Sequence, residues 1–413
     1  MKRVLTICGF FLPLAALLFA QSYEVSVTSL SVWIKATDSS GKPVEGLTAN
    51  DFEISEDGQK MNITCFEESA PENVAIAGPS EKVEVTGPQE APKKIAIYLD
   101  LFNTNSQEFA NVRPRIQQFL DQIATKNWEV MLAALLPNGK LGIISPFTKD
   151  IPAVRSVLMK APTNTQRDAA DKSRQKQMEN ALQEVLDSDP RAQDAALQNA
   201  YTLAGSFAKQ EKVGTDYSLA AISSFAGYLA QTQGNEHIVV LFVSGGINID
   251  PGRIYYDMCY KVAEGLGFTN DPTTFGMSFQ ANPESNRDIQ ELIRTSIGKM
   301  NRHNVTVYAV NTRGMYSSDN ASQSPILNNS DSSLIRDLQD TMSQISQETG
   351  GLSFENSRNF KVGFDQIFTD LGQQYLICYN PPEHKKAGDY HKIKVVCKKN
   401  GVDLRYRNGY LDD

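Results

Sequence analysis

The chain has 413 residues, 41% of them apolar, with a formal net charge of -8 and a pI near 5.3. That length supports a substantial core and two or three domains. The acidic balance excludes a nucleic-acid or anionic-membrane partner, since both need a basic face, and the short runs His384-Lys385-Lys386 and Lys398-Lys399 read as solvated charge at strand ends.

Met1-Lys2-Arg3, apolar residues through Phe19 and then Ala20-Gln21 give the charged start, apolar centre and small residue of a secretory signal peptide. Cleavage is expected near Ala20, which makes the protein secreted, periplasmic or extracellular. The alternative is a retained anchor, but the stretch is short for ~30 Å of hydrocarbon and Pro13 interrupts it. No later segment is long and apolar enough to cross a bilayer, so no transmembrane segment is expected after cleavage. The mature chain keeps Cys65, Cys259, Cys378 and Cys397 in an oxidising space, and the sequence leaves their pairing open. Cys378 and Cys397 flank an expected hairpin, so their pairing is the most economical; the alternative is four small apolar core residues.

Residues 21–69 read as an N-terminal β module. Val25 and Val27 alternate, and Leu30, Val32, Ile34 and Ala36 follow in the opposite phase. Gly41-Lys42-Pro43 and Glu56-Asp57-Gly58 mark turns, and Phe52, Ile54, Met61, Ile63 and Cys65 share the face of a hairpin. A module of this size is expected to dock on something larger. Residues 70–92, rich in Pro, Glu and Gly, read as a linker.

From 93 to 380 strands and helices alternate. The run Ile95 to Asp100 precedes a helix from Glu108 to about Ala124, and strands at Val130–Leu136 and Leu141–Ser145 meet around Pro137-Asn138-Gly139. An insertion at about 151–211 reads as a helical hairpin divided by Pro190. A helix after Gly214 follows, then a strand at His237–Val243, a helix at Arg287–Arg302, a strand at Val305–Val310 and a helix at Leu334–Glu348 stopped by Gly350-Gly351. This pattern predicts an α/β fold: a Rossmann-like, doubly wound, mostly parallel sheet with one antiparallel edge region. Towards the end the pattern changes: Tyr375–Tyr379 and, within residues 381–413, Ile393–Cys397 and Leu404–Tyr406 read as strands without helices between them, expected to pair with one another and with the N-terminal module.

The run ending at Asp100 is the candidate site, because buried parallel strands carry ligands at their carboxyl ends. Thr104, four residues on, supplies a hydroxyl for a hard cation, but Phe102 at plus two has no oxygen. Three loops are expected to converge there: Asp100 to Ser106, Gly214-Thr215-Asp216, and Ser244-Gly245-Gly246-Ile247-Asn248. Asn103, Asn105 and Asp216 within these segments, and Asp250 two residues past the third, are the further oxygens. Enzymatic motifs fail: a phosphatase needs a carboxylate where Phe102 stands, and Phe242 occupies the glycine position of a nucleophile elbow at Ser244. Gly265-Leu266-Gly267 lacks the third glycine of a dinucleotide site, and the histidines lack zinc spacing. An unrecognised hydrolase is the residual enzymatic reading.

The segments Gly41 to Gly58, Val307 to Gly314, Glu348-Thr349-Gly350-Gly351, Tyr375 to Tyr379 and Arg405-Tyr406-Arg407-Asn408-Gly409-Tyr410 resemble the secreted bacterial VWFA-related proteins typified by Acidobacteria. The three loops resemble those of the von Willebrand factor A (VWA) fold. The resemblance implies a secreted, non-enzymatic adhesion or protein-interaction module with a degenerate metal-ion-dependent adhesion site. By position Asp100, Thr104, Thr215 and Ser244 stand where that site has ligands, with Phe102 replacing a serine and Ser244 an aspartate. It implies at most weak Mg²⁺ or Mn²⁺ binding and no firm cofactor. Asn103, Asn105, Asp216 and Asn248 are the candidate contacts to a protein ligand. The alternative is a structural scaffold with an inert top face; closure of the loops over Phe102 would favour it.

Overall fold

The computed structural model describes residues 29–69, 93–233, 236–268, 283–313, 340–354, 360–383, 386 and 388–412. The expected signal peptide and the linker at 70–92 lie outside the described residues.

Four strands open the described chain, each too short to bury an apolar face alone: β1 Leu30–Thr37, β2 Phe52–Glu56, β3 Gln59–Met61 and β4 Ile63–Ser69. An α/β unit then intervenes, with β5 Lys94–Asp100, α1 Ser106–Ile123, β6 Glu129–Leu135, β7 Leu141–Thr148, α2 Ile151–Met159, α3 Thr165–Asp187, α4 Gln193–Gln233 and β8 Ile238–Ser244. It continues through α5 Arg253–Gly265, α6 Pro283–Arg302, β9 Val305–Asn311, a helix α7 over 340–348, β10 Ser353–Phe354 and α8 Phe360–Gly372. Four more strands follow: β11 Gln374–Tyr379, β12 Tyr390–Cys397, β13 Asp403–Arg405 and β14 Gly409–Leu411.

The first and last strands complete one another. They form two antiparallel four-stranded sheets, β13-β1-β11-β4 and β14-β12-β2-β3. Between them Val32, Ile34, Phe52, Ile54, Tyr375, Ile377, Tyr379 and Tyr410 make one core. The sandwich is interrupted in sequence and whole in space. β11 pairs with β1 and β4 and not with the central sheet. Cys378 lies opposite Cys65 on β4 and is disulfide-bonded to it, with Cα atoms 4.8 Å apart. That corrects the expected Cys378–Cys397 pair, because β11 and β12 belong to different sheets; Cys259 and Cys397 are free thiols.

The central sheet has the order β7-β6-β5-β8-β9-β10, parallel throughout except for β7. Counted from β5 this is 3-2-1-4-5-6, the doubly wound order whose direction of winding reverses between β5 and β8. Residue parity assigns the two faces. Ile95, Ile97 and Leu99 pack with α1, α2 and α8, while Ala96 and Tyr98 pack with the second half of α4, α6 and α7. Asp100 continues the second set, and Ser244 continues Val240 and Phe242 on the same side. Both side chains therefore leave the sheet towards α4.

Helix α4 runs 41 residues, about 60 Å. Its first half packs Leu197, Ala200, Ala204 and Phe207 against α3 and α5, and its second half packs Leu219, Ile222, Phe225 and Leu229 on the sheet. Gly214-Thr215-Asp216, expected as a loop, is thus inside one continuous helix. A mid-helix glycine costs about 1 kcal/mol, which the two apolar stripes outweigh. Its place follows from packing: a Cβ on Gly214 would lie 3.0 Å from the Phe102 ring.

Candidate functional site

In folds of this order ligands enter the crevice where the winding reverses, here between the ends of β5 and β8. Side chains from both strands and from α4 fill it. Asp100 is 1% exposed, and its Oδ1 accepts the Asn103 backbone N–H at 2.9 Å. Its Oδ2 accepts from Asn103 Nδ2 and from Ser244 Oγ, each at 2.7 Å. Ser244 Oγ in turn accepts the Gly246 N–H at 2.9 Å. Asn103 Nδ2 also donates to Ser218 Oγ at 2.7 Å, and Ser218 donates back to the Gly214 carbonyl. The β5 loop is thereby bonded to both α4 and the β8 loop.

Backbone contact completes the closure. Thr104 Oγ1 accepts the Gly245 N–H at 3.1 Å, and a Cβ on Gly245 would stand 2.3 Å from the Asn103 carbonyl oxygen. Only glycine permits that approach. Asn164 donates to the Phe102 carbonyl at 3.1 Å, while the Phe102 ring meets Tyr217 nearly edge-on with centroids 6.0 Å apart. Below the site burial first, and the Asp100 charge second, push the Tyr98 hydroxyl well above its usual range. Tyr98 stays a neutral phenol under Asp100.

The other candidate residues have structural employment. Asn105 caps α1: its Oδ1 accepts the Glu108 N–H at 2.8 Å, and Glu108 Oε2 accepts the Asn105 N–H at 3.0 Å. Thr215 is buried, but its hydroxyl donates to the Asn248 carbonyl at 2.6 Å instead of reaching Asp100. Asn248 Nδ2 donates to Glu211, and its Oδ1 accepts from the Asp250 N–H. Asp216 points outward in a 2.9 Å pair with Lys212. The loop and helix thus bring together Asp100, Asn103, Thr104 and Ser244, and leave Asn105, Asp216 and Asn248 outside the cluster. Ser218 and Glu211 are the participants missed in the sequence. Ser218 lies one turn beyond Gly214, a signal visible only once that segment is treated as helix.

A divalent cation of the kind the VWA resemblance implies does not fit this donor set. Mg²⁺ needs oxygens free to turn their lone pairs inward. Here the Asp100 carboxylate is already occupied by N–H and O–H donors, the Thr104 hydroxyl by Gly245, and the Thr215 hydroxyl by a carbonyl. Phe102 supplies ring carbon where an oxygen is required. Among the described residues no group of three or more His, Cys, Asp or Glu side chains is placed to hold a metal.

Strand order, the single antiparallel edge and helices on both faces define a doubly wound α/β protein. No family model and no curated protein matches the chain. Solved structures overlap it at low similarity. One is an aerotolerance-related membrane protein from Bacteroides fragilis NCTC 9343, 9% identical over 68% of this chain and 98% of that one, TM-score 0.29. A second is BatB, a conserved hypothetical protein from Bacteroides thetaiotaomicron, 11% identical over 68% and 99%, TM-score 0.26. A third is the vWF domain of the type V pili tip protein Mfa5 from Porphyromonas gingivalis, 9% identical over 71% and 98%, TM-score 0.29. At these values the overlaps carry no argument, and the fold class rests on the strand order.

Proposed function

We propose that the protein is an extracytoplasmic, non-enzymatic protein-interaction module of the VWA type that works without a metal ion. The observation that carries this is the closed switch point, where Asp100 and Ser244 bond directly across the crevice that would otherwise take a ligand. With that crevice filled, recognition falls to the surface beside it. Val213 and Tyr217, one turn apart on α4, are 50% and 46% exposed, and Tyr217 continues the partly buried Phe102 ring. Large apolar side chains left in water beside a functional crevice suit contact with a protein partner.

Reactive groups fit the non-enzymatic reading. Burial pushes the Cys259 thiol up to about 12, so it is not a thiolate nucleophile, and Ser244 is held as a donor to Asp100. The Cys65–Cys378 disulfide suits an oxidising space outside the cytoplasm. No helix among the described residues is long and apolar enough to cross a membrane. The same closure supports a second reading, a structural scaffold with an inert top face.

Cross-linking with mass spectrometry on the cell surface, in EDTA, separates them. The interaction reading expects cross-links from the α4 face that are lost in folded Val213→Asp and Tyr217→Asp variants. Cross-links confined to the sandwich edges, and unchanged in those variants, would select the scaffold.

A further inference from the structure

The α/β unit is an insertion with a narrow neck. The chain enters it at Lys93 and leaves it at Gly372, and these points stand side by side, since Lys93 Nζ donates to the Leu371 carbonyl. Directly outside the neck, β4 and β11 run antiparallel in register from Gln374 opposite Ser69 to Cys378 opposite Cys65. The Cys65–Cys378 bond sits at the end of that ladder. It joins the last strand before the insertion to the first strand after it, across a sequence separation of 313. Among the described residues it is the one covalent link besides the backbone. Every element from β5 to α8 is therefore inside one closed loop, and the described stretches outside it belong to the sandwich.

This closure separates the two units mechanically. A load entering before Leu30 and leaving after Leu411 runs along β1 to β4, crosses the S–S bond and continues from β11. β5 and β8, whose ends form the switch point, are not in its path. With the bond intact about 70 residues can lengthen, ~25 nm at full extension. With the bond cut about 380 residues lie in series, ~130 nm. The α/β unit has the means to stay folded while the sandwich yields, because its two apolar clusters share no residue with the sandwich core. Cys65 and Cys378 are each half-buried, which leaves the bond within reach of a small thiol.

We propose that the Cys65–Cys378 bond is a tension bypass under redox control. While oxidised it carries load from one end of the chain to the other and keeps the α/β unit, with its top face, folded as the sandwich extends. A dithiol reductant opens the device by supplying two electrons and two protons: the S–S bond becomes two thiols as the dithiol closes to its own disulfide. The α/β unit then comes into series with the load. The proposal rests on the path of the chain alone and holds whether or not the top face binds a partner.

The test is force-clamp extension of the full mature chain held by its two ends, first oxidised and then with dithiothreitol added. Oxidised molecules should lengthen by at most about 25 nm. Cleavage of the bond should then release about 10 nm at once, from the residues between the cysteines and the neck, and the remaining ~95 nm only after a separate dwell in which the α/β unit unfolds. Lengthening of oxidised molecules beyond about 25 nm would mean that the load does not cross the bond. A single prompt release of ~105 nm would mean that the α/β unit had already lost its fold inside the loop. Either result overturns the proposal. The Cys65→Ser/Cys378→Ser variant should reach about 130 nm without reductant; if it does not fold, the two-step release of the wild-type chain decides by itself.

Discussion

Asp100→Ala separates a closed polar lock from a metal site. The wild-type carboxylate receives three donors at 2.7–2.9 Å, namely Asn103 N–H, Asn103 Nδ2 and Ser244 Oγ, in a position 1% exposed. Alanine strands all three, and a buried donor without an acceptor costs about 1–3 kcal/mol. Asn103 Nδ2 keeps Ser218, which discounts one of them, so the loss is about 2–6 kcal/mol. That corresponds to a fall in melting temperature of at least about 4 °C. Asp100→Asn keeps the shape and misplaces a single donor, so it should cost only about 1–3 kcal/mol. Urea unfolding followed by circular dichroism, in EDTA and again in Mg²⁺, reads both variants. A metal site gives the opposite pattern, since removing a carboxylate from an unfilled site relieves repulsion. An Asp100→Ala cost below about 1 kcal/mol in EDTA would refute the lock.

Three further outcomes follow from particular contacts. Gly245→Ala places a methyl 2.3 Å from the Asn103 carbonyl oxygen and should destabilise by about 1–3 kcal/mol, read by the same urea titration. Replacing both Cys65 and Cys378 with serine removes the cross-link between β4 and β11 and should cost about 2–5 kcal/mol, with reductant lowering the wild-type melting temperature towards the variant's. His237 has its folded pKa depressed, so below about 6.5 the unfolded chain binds the extra proton and stability falls as pH falls. The slope from this group approaches 1.4 kcal/mol per pH unit, and melting curves between pH 7 and 5 should be flatter in His237→Gln.

The central sheet was legible because its strands are buried on both faces and read as continuous apolar runs, as Ile95–Leu99 and Ile238–Val243 do. The sandwich was half legible. β1 and β12 alternate clearly, and Tyr375–Tyr379 was expected to pair with the other tail strands and the N-terminal module; which of those strands flank it, β1 and β4 more than three hundred residues away, nothing local says. The economical Cys378–Cys397 pairing failed for the same reason, since sequence proximity is no guide to partners across an interrupted domain. At the crevice, the positions of Asp100 and Ser244 were legible from the ends of their apolar runs. Gly214 misled, because glycine signals a break by propensity while here it makes room for Phe102, and with the helix missed Ser218 was missed too.

The central claim is that the switch point is shut by its own side chains and takes no metal. Calorimetric titration of the purified mature chain with Mg²⁺ and Mn²⁺ tests it most directly, with Asp100→Ala in parallel. A closed lock gives no saturable heat for either ion and the same melting temperature in EDTA as in Mg²⁺. Saturable binding at millimolar concentration or tighter, lost in Asp100→Ala, would contradict it.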